Sequence, residues 1–171
     1  MSNNDILFES GTPITWKASG GTYVITMAGL AAGAARQGAK GDLGAKRAAR
    51  WSVRLAIDLE VAAVNGAPIE LWWSSSASAT AATDNTGGAS GADAAYTGTA
   101  GGGLAARYLM QLIGVLPALA DADAIDQVAE FVFYPLSRYG MPVVLNGTAQ
   151  AFNDAETTHC ITFTPLNEEV A

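Results

Sequence analysis

The chain has 171 residues, a formal net charge of −7 and a pI near 4.5. This length suits one domain with a sizeable core, and the acidity works against nucleic acid, whose phosphates repel such a surface. Cys160 is the sole cysteine, which excludes a disulfide-stapled module, and no apolar run is long enough to cross a bilayer as a helix.

The first ten residues have neither a basic nor an apolar leader region, so the expectation is a protein made in the cytoplasm that stays soluble or joins an assembly. Residues 1–11 read as a flexible arm. Within it Ile6, Leu7 and Phe8 form an apolar cluster with no strand partner of their own, suited to docking on a neighbouring subunit. Residues 12–171 read as a single domain. Residues 13–18 carry Ile14 and Trp16 and predict a short strand, closed by the turn Ser19-Gly20-Gly21. Residues 22–27 are β-branched and aromatic and predict another strand.

Residues 29–49 are rich in alanine, yet Gly29, Gly33, Gly38, Gly41 and Gly44 each weaken a helix, so the segment reads as extended or irregular. Arg36, Lys40, Lys46, Arg47, Arg50 and Arg54 are six of the nine basic residues of the chain. Two readings stay open for them: a solvated loop and strand face, or a contact surface for an acidic partner.

The clearest stretch follows. Trp51, Val53, Leu55, Ile57, Leu59 and Val61 alternate with Ser52, Arg54, Ala56, Asp58 and Glu60, the period of a strand with one apolar face. Asn65-Gly66 tolerates positive φ, and residues 68–73 are expected to run back as the second strand of a hairpin, Pro68 sitting at its start. Residues 74–103 are almost wholly Ser, Ala, Thr and Gly. A segment with so little to bury is expected to be a long loop, mobile in the free protein.

Residues 104–116 mix helical spacing with β character and read as a strand ahead of Pro117. Residues 121–126 read as a polar turn. Residues 128–134, 141–145 and 158–164 complete the set, the last with Ile161 and Phe163 on one face and Cys160, Thr162 and Thr164 on the other. About eight short strands separated by turn signals predict an all-β fold, a jelly-roll-like antiparallel sandwich.

Candidate chemistry is sparse. His159 and Cys160 are adjacent, so a strand points them to opposite faces and denies them a nucleophile–base contact. Asp121, Asp123 and Asp126 lack the glycine and late glutamate of a calcium loop. Gly101-Gly102-Gly103 lacks the Lys-Ser/Thr of a phosphate cradle. No catalytic residue, cofactor or metal is expected. Trp16, Trp51, Trp72, Trp73 and Tyr134 could form a sugar-stacking platform. Because Trp72 and Trp73 are adjacent, one indole is expected to face outward as a protein-contact residue.

Residues 108–117 (YLMQLIGVLP), 130–140 (EFVFYPLSRYG) and 142–152 (PVVLNGTAQAF), a final Phe163-Thr164-Pro165, and the earlier 30–37 (LAAGAARQ) together resemble a group of small structural proteins encoded near the capsid genes of tailed bacteriophages. The resemblance covers roughly Tyr23 to Pro165 and rests on strand and turn patterns. It implies a virion protein, a head decoration (cement) protein with a jelly-roll-like sandwich, and no active-site residues. The expected partners are the major capsid protein and further copies of the chain, with a trimer favoured, and neither nucleic acid nor membrane. The alternative is a carbohydrate-binding sandwich of a head or tail fibre. Ile6, Leu7, Phe8, Arg36, Lys40, Lys46, Arg47, Trp72 and Trp73 are the candidate protein-contact residues.

Overall fold

Apolar side chains at every second position of one strand, meeting the same pattern on a facing strand, set the architecture. A computed structural model describes residues 6–45, 47–59, 61–120, 127–155 and 159–170, with 6–10 and 168–170 as backbone alone. Its strands are β1 (Ile6–Ser10), β2 (Ile14–Trp16), β3 (Ala35–Gln37), β4 (Gly41–Asp42), β5 (Arg50–Ile57), β6 (Pro68–Ser76), β7 (Ala94–Ala95), β8 (Gln111–Pro117), β9 (Gln127–Phe133), β10 (Tyr139–Asn146) and β11 (Cys160–Val170). They form two antiparallel sheets, so the expected all-β sandwich is what the chain adopts.

In the first sheet β11 lies between β5 and an edge shared by β1 and β2, and β9 flanks β5 on the far side. In the second the order is β7-β3-β10-β6-β8, with β4 beside β10. Trp51, Val53, Leu55 and Ile57 of β5 and Ile161 and Phe163 of β11 point into the space between the sheets, where Ile69, Leu71 and Trp73 of β6 meet them. Phe163 is the hub. Its ring lies 5.0 Å from Trp16, 5.1 Å from Trp73, 5.8 Å from Phe133 and 6.3 Å from Trp51, so one side chain ties four other strands across both sheets.

The expected hairpin does not form. β5 and β6 belong to different sheets, and the turn at Asn65-Gly66 carries the chain across the sandwich. Alternation specifies which side of a strand is buried, but a strand facing another across a core has the same pattern as one hydrogen-bonded to it. The strand also stops at Ile57, and Val61 is exposed. Residues 22–27 are another correction. Only Tyr23 bridges Trp16, while Ile25 and Met27 are buried without ladder partners, so apolar character there marks a core-plugging loop. Residues 104–116 divide into a 3-10 helix, Leu104–Leu109, and β8, which accounts for their mixed periodicity. The polar turn expected at 121–126 lies outside the described residues.

The segment 74–103 also departs from expectation, packing as a third layer over the outer face of the second sheet. Ala89, Tyr96 and, just beyond the segment, Met110 and Leu104 cover Trp72, Met141, Val143 and Leu145. With both faces covered, β6 and β10 are buried nearly throughout and show no alternation. Small residues suit this layer because its backbone folds closely on itself. A Cβ at Gly91 would lie 1.9 Å from Ala81 O and one at Gly98 1.7 Å from Gly103 O, and both glycines hold positive φ.

Replacing the hub tests this arrangement. Phe163→Ala should lower unfolding free energy by about 3–5 kcal/mol in urea titrations, from lost transfer energy and the cavity left behind. Thr164→Ala, one residue on and outward-facing, should stay within about 0.5 kcal/mol. Equal losses at the two positions would overturn the assigned register.

Candidate functional site

The start of the basic segment, residues 36–40, faces the third layer. Arg36 Nε bonds Asp93 Oδ1 at 2.7 Å, and Asp93 also accepts the Thr26 N–H at 3.0 Å and the Thr26 hydroxyl at 2.7 Å. The Gln37 amide accepts from Ser90 N–H at 3.0 Å and donates to Ser90 Oγ. Lys40 Nζ reaches Ser76 Oγ and the carbonyls of Ser78, Thr80 and Thr83. Three polar side chains from β3 and the turn after it therefore clamp residues 76–93. Tyr96 adds a hydroxyl bond to Gly87 O at 2.6 Å, and burial pushes its phenol above the ordinary range.

Of the candidate contact residues, Arg36 and Lys40 are thus engaged within the chain, which corrects the reading of a contact surface for an acidic partner at these two positions. Lys46 lies outside the described residues. Arg47 is exposed, with Nη2 3.4 Å from Leu136 O, beside a surface hollow of about 440 Å³ lined by Thr12, Ile14, Leu43 and Pro165. Asp42 at the hollow's wall is paired bidentately with Arg138 at 2.7 Å through each oxygen, and that pairing holds its carboxyl below the usual range. The backbone of Ile6, Leu7 and Phe8 has a strand partner after all, running antiparallel to 168–170 of β11.

Trp73 and Trp72 are both buried, Trp73 completely and Trp72 at 7% exposure, because the third layer covers the face on which one indole was expected to lie free. Trp16 and Trp51 are buried as well, so Tyr134 alone of the proposed sugar platform is exposed. The platform does not exist as a surface. Trp72 Nε1 donates to Glu70 Oε2 at 2.8 Å, Arg107 Nε bonds the same oxygen at 2.9 Å, and the Arg107 guanidinium lies 4.5 Å from the Tyr108 ring centroid.

That cluster underlies an exposed apolar side which the sequence reading missed. The edge strands β8 and β9 run side by side: Phe131 fills the space above Gly114, and the Gln111 amide donates to Tyr134 O. Tyr108, Leu109, Leu112, Val115, Leu119, Val128, Val132, Tyr134 and Leu136 are nine of the twelve large hydrophobics exposed among the described residues, Leu112 and Val115 on the outer face of the second sheet and Val128 and Val132 on that of the first. Ser75, Thr86, Leu109, Met110, Gln111 and Leu136 line a hollow of about 360 Å³ there. The signal was the 104–116 segment itself, apolar at both helical and strand spacing and so apolar on more than one face.

His159 has a structural part. Its Nδ1 accepts the Asp58 N–H at 3.3 Å and its Nε2–H donates to Asn153 O at 2.8 Å, closing the end of β5 onto the start of β11. Cys160 Sγ meets Thr162 Oγ1 on the other face. Among the described residues no three His, Cys, Asp or Glu side chains gather as a metal site.

No known family model and no curated protein matches this chain.

The Asp93 clamp carries a pH signature. Burial pushes its carboxyl pKa up, but the bonds from Arg36 and Thr26 together outweigh burial and leave it lowered. A lowered folded pKa stabilises above the ordinary carboxylate value of about 3.9 and is lost as pH falls through the folded value. Asp93→Asn should therefore cost about 1–3 kcal/mol at pH 7 by urea unfolding, the gap to wild type closing below about pH 4. A gap independent of pH would show that the carboxylate charge is not what holds the layer.

Proposed function

We propose that the chain is a non-enzymatic structural component of a tailed-bacteriophage virion, a head decoration protein with a jelly-roll-like sandwich that attaches to the lattice of the major capsid protein. The observation that carries this reading is the density of exposed apolar side chains along the 3-10 helix Leu104–Leu109, β8 and β9, with Leu109 and Leu136 lining one hollow. Exposed apolar patches rimmed by polar residues mark protein contacts, and a repeated lattice multiplies a contact of modest size. The sandwich body and the clamped third layer supply stiffness, so little ordering entropy is lost on attachment. The sequence resemblance over 23–165 points to the same class of protein, and two of its motifs, 108–117 and 130–140, carry Tyr108, Leu109, Leu112, Val115, Val132, Tyr134 and Leu136 of this side. In this reading the chain is a trimer, matching the threefold positions of a capsid. The carbohydrate-binding alternative has lost its aromatic platform to the core.

Attachment can be measured by co-sedimentation with empty heads assembled from the major capsid protein of the proposed phage. Leu109→Ser with Leu136→Ser should leave the thermal midpoint within about 2 °C of wild type, since both side chains are exposed, and should reduce occupancy at least tenfold. Full occupancy by the double variant would sink the assignment of this side. Failure of the wild type to bind heads, with capture on a glycan array instead, would sink the virion-lattice reading itself.

A further inference from the structure

Residues 76–84 are wound around one positive charge. Lys40 Nζ lies 2.8 Å from Ser76 Oγ, 3.1 Å from Ser78 O, 2.6 Å from Thr80 O and 2.9 Å from Thr83 O. Four oxygens converge on an ammonium with three hydrogens to give. Ser76 Oγ is held in place by accepting the Ser78 N–H at 3.2 Å and donating to Thr83 O at 2.9 Å. The lysine is positioned from both sides. Trp16 Nε1 donates to Ala39 O at 2.8 Å, fixing the backbone to the core, and the Lys40 N–H donates to Gly91 O at 3.0 Å.

The chain turns sharply just past the last of these oxygens. Asp84 has φ 56°, the left-handed conformation that is strained for any residue with a Cβ, and it is the only such non-glycine among the described residues. Its carboxylate favours the charged lysine, opposing the burial that disfavours it. Strain of this kind persists only where the surroundings over-determine it.

We infer that residues 76–83 form a monovalent-cation site in which the Lys40 ammonium is the resident, tethered ion. Two features select that class. The direct ligands are three carbonyls and one hydroxyl, all neutral, whereas divalent sites recruit carboxylates. The cage spans 2.6–3.1 Å, wider than the roughly 2.3–2.6 Å of calcium or 2.0–2.1 Å of magnesium coordination. Removal of the lysine side chain leaves carbonyl oxygens facing one another with nothing between them, and a small free cation of the ammonium or potassium class takes the place. The site is independent of the virion reading, since it concerns how the third layer is held and not what the protein attaches to.

The test is chemical rescue of Lys40→Ala. Its thermal midpoint and the rate of broad-specificity proteolysis within 76–103 are compared in choline, methylammonium, ammonium, potassium and sodium chlorides at equal ionic strength. In choline, too bulky to enter, the variant should melt roughly 3–10 °C below wild type and be cut at least tenfold faster. Methylammonium, ammonium or potassium should restore both readings saturably, leaving wild type unmoved. The same response to every salt, or a variant as stable as wild type in choline, overturns the site. Should Lys40→Ala recover poorly from refolding, its yield in the same salts is the reading: a gain over choline supports the site, and no gain overturns it. The wild type gives a separate check, because Lys17, Lys40 and Lys46 are its only lysines. Lys40 should acetylate at least tenfold more slowly than Lys17, and equal rates would mean that the ammonium is not enclosed.

Discussion

Everything in this molecule leans on the packing of one phenyl ring. Phe163 sits in the middle of β11 and touches Trp16, Trp51, Trp73 and Phe133, which come from β2, β5, β6 and β9. Backbone hydrogen bonds organise each sheet separately, but nothing in a ladder holds one sheet against another. That is the task of side chains between them, and large aromatic rings bring the most buried area and a preferred geometry. Trp73 is the return contact, lying 5.7 Å from both Trp16 and Phe133 and so joining the second sheet to two strands of the first.

A second constraint acts on the opposite face of the second sheet. A sheet covered on one side only would leave Trp72, Met141 and Val143 in water. The chain covers them with small residues, and such residues contribute little apolar area, so the layer is secured by polar bonds from Arg36, Gln37 and Lys40. This explains the placement of charge. Arg36 serves the carboxylate of Asp93, and Lys40 serves carbonyls of the layer.

What could be read from the sequence follows the same division. Strand identity was legible wherever one face is buried and the other wet, as in β5 and in the Ile161 and Phe163 pattern of β11. Partnership was not legible, because the alternation of β5 is the same whether β6 pairs with it or faces it across the core. Nor was the third layer, because Ser, Ala and Gly carry the same low hydrophobicity in a free loop as in one packed tightly enough to exclude any Cβ. The exposed side along β8 and β9 was missed for a related reason: Leu109 and Leu136 count as core residues until neighbours are known. The burial of Trp72 depends on the layer above it and had no local signal.

The place of β11 has a consequence for how the protein is made. β11 lies inside its sheet, with β5 on one side and β1 and β2 on the other, so Ile6 pairs with Val170 and Trp16 with Ile161. The strand that completes the first sheet is therefore the last described strand to leave the ribosome. Until it emerges, β2 and β5 have no ladder between them and the aromatic core lacks its hub. Contacts between segments this distant in sequence form slowly, since the intervening chain must be ordered before they are gained. Folding is thereby deferred until β11 has been made, and a nascent chain stalled before residue 160 would hold Trp16, Trp51 and Trp73 without the ring that gathers them.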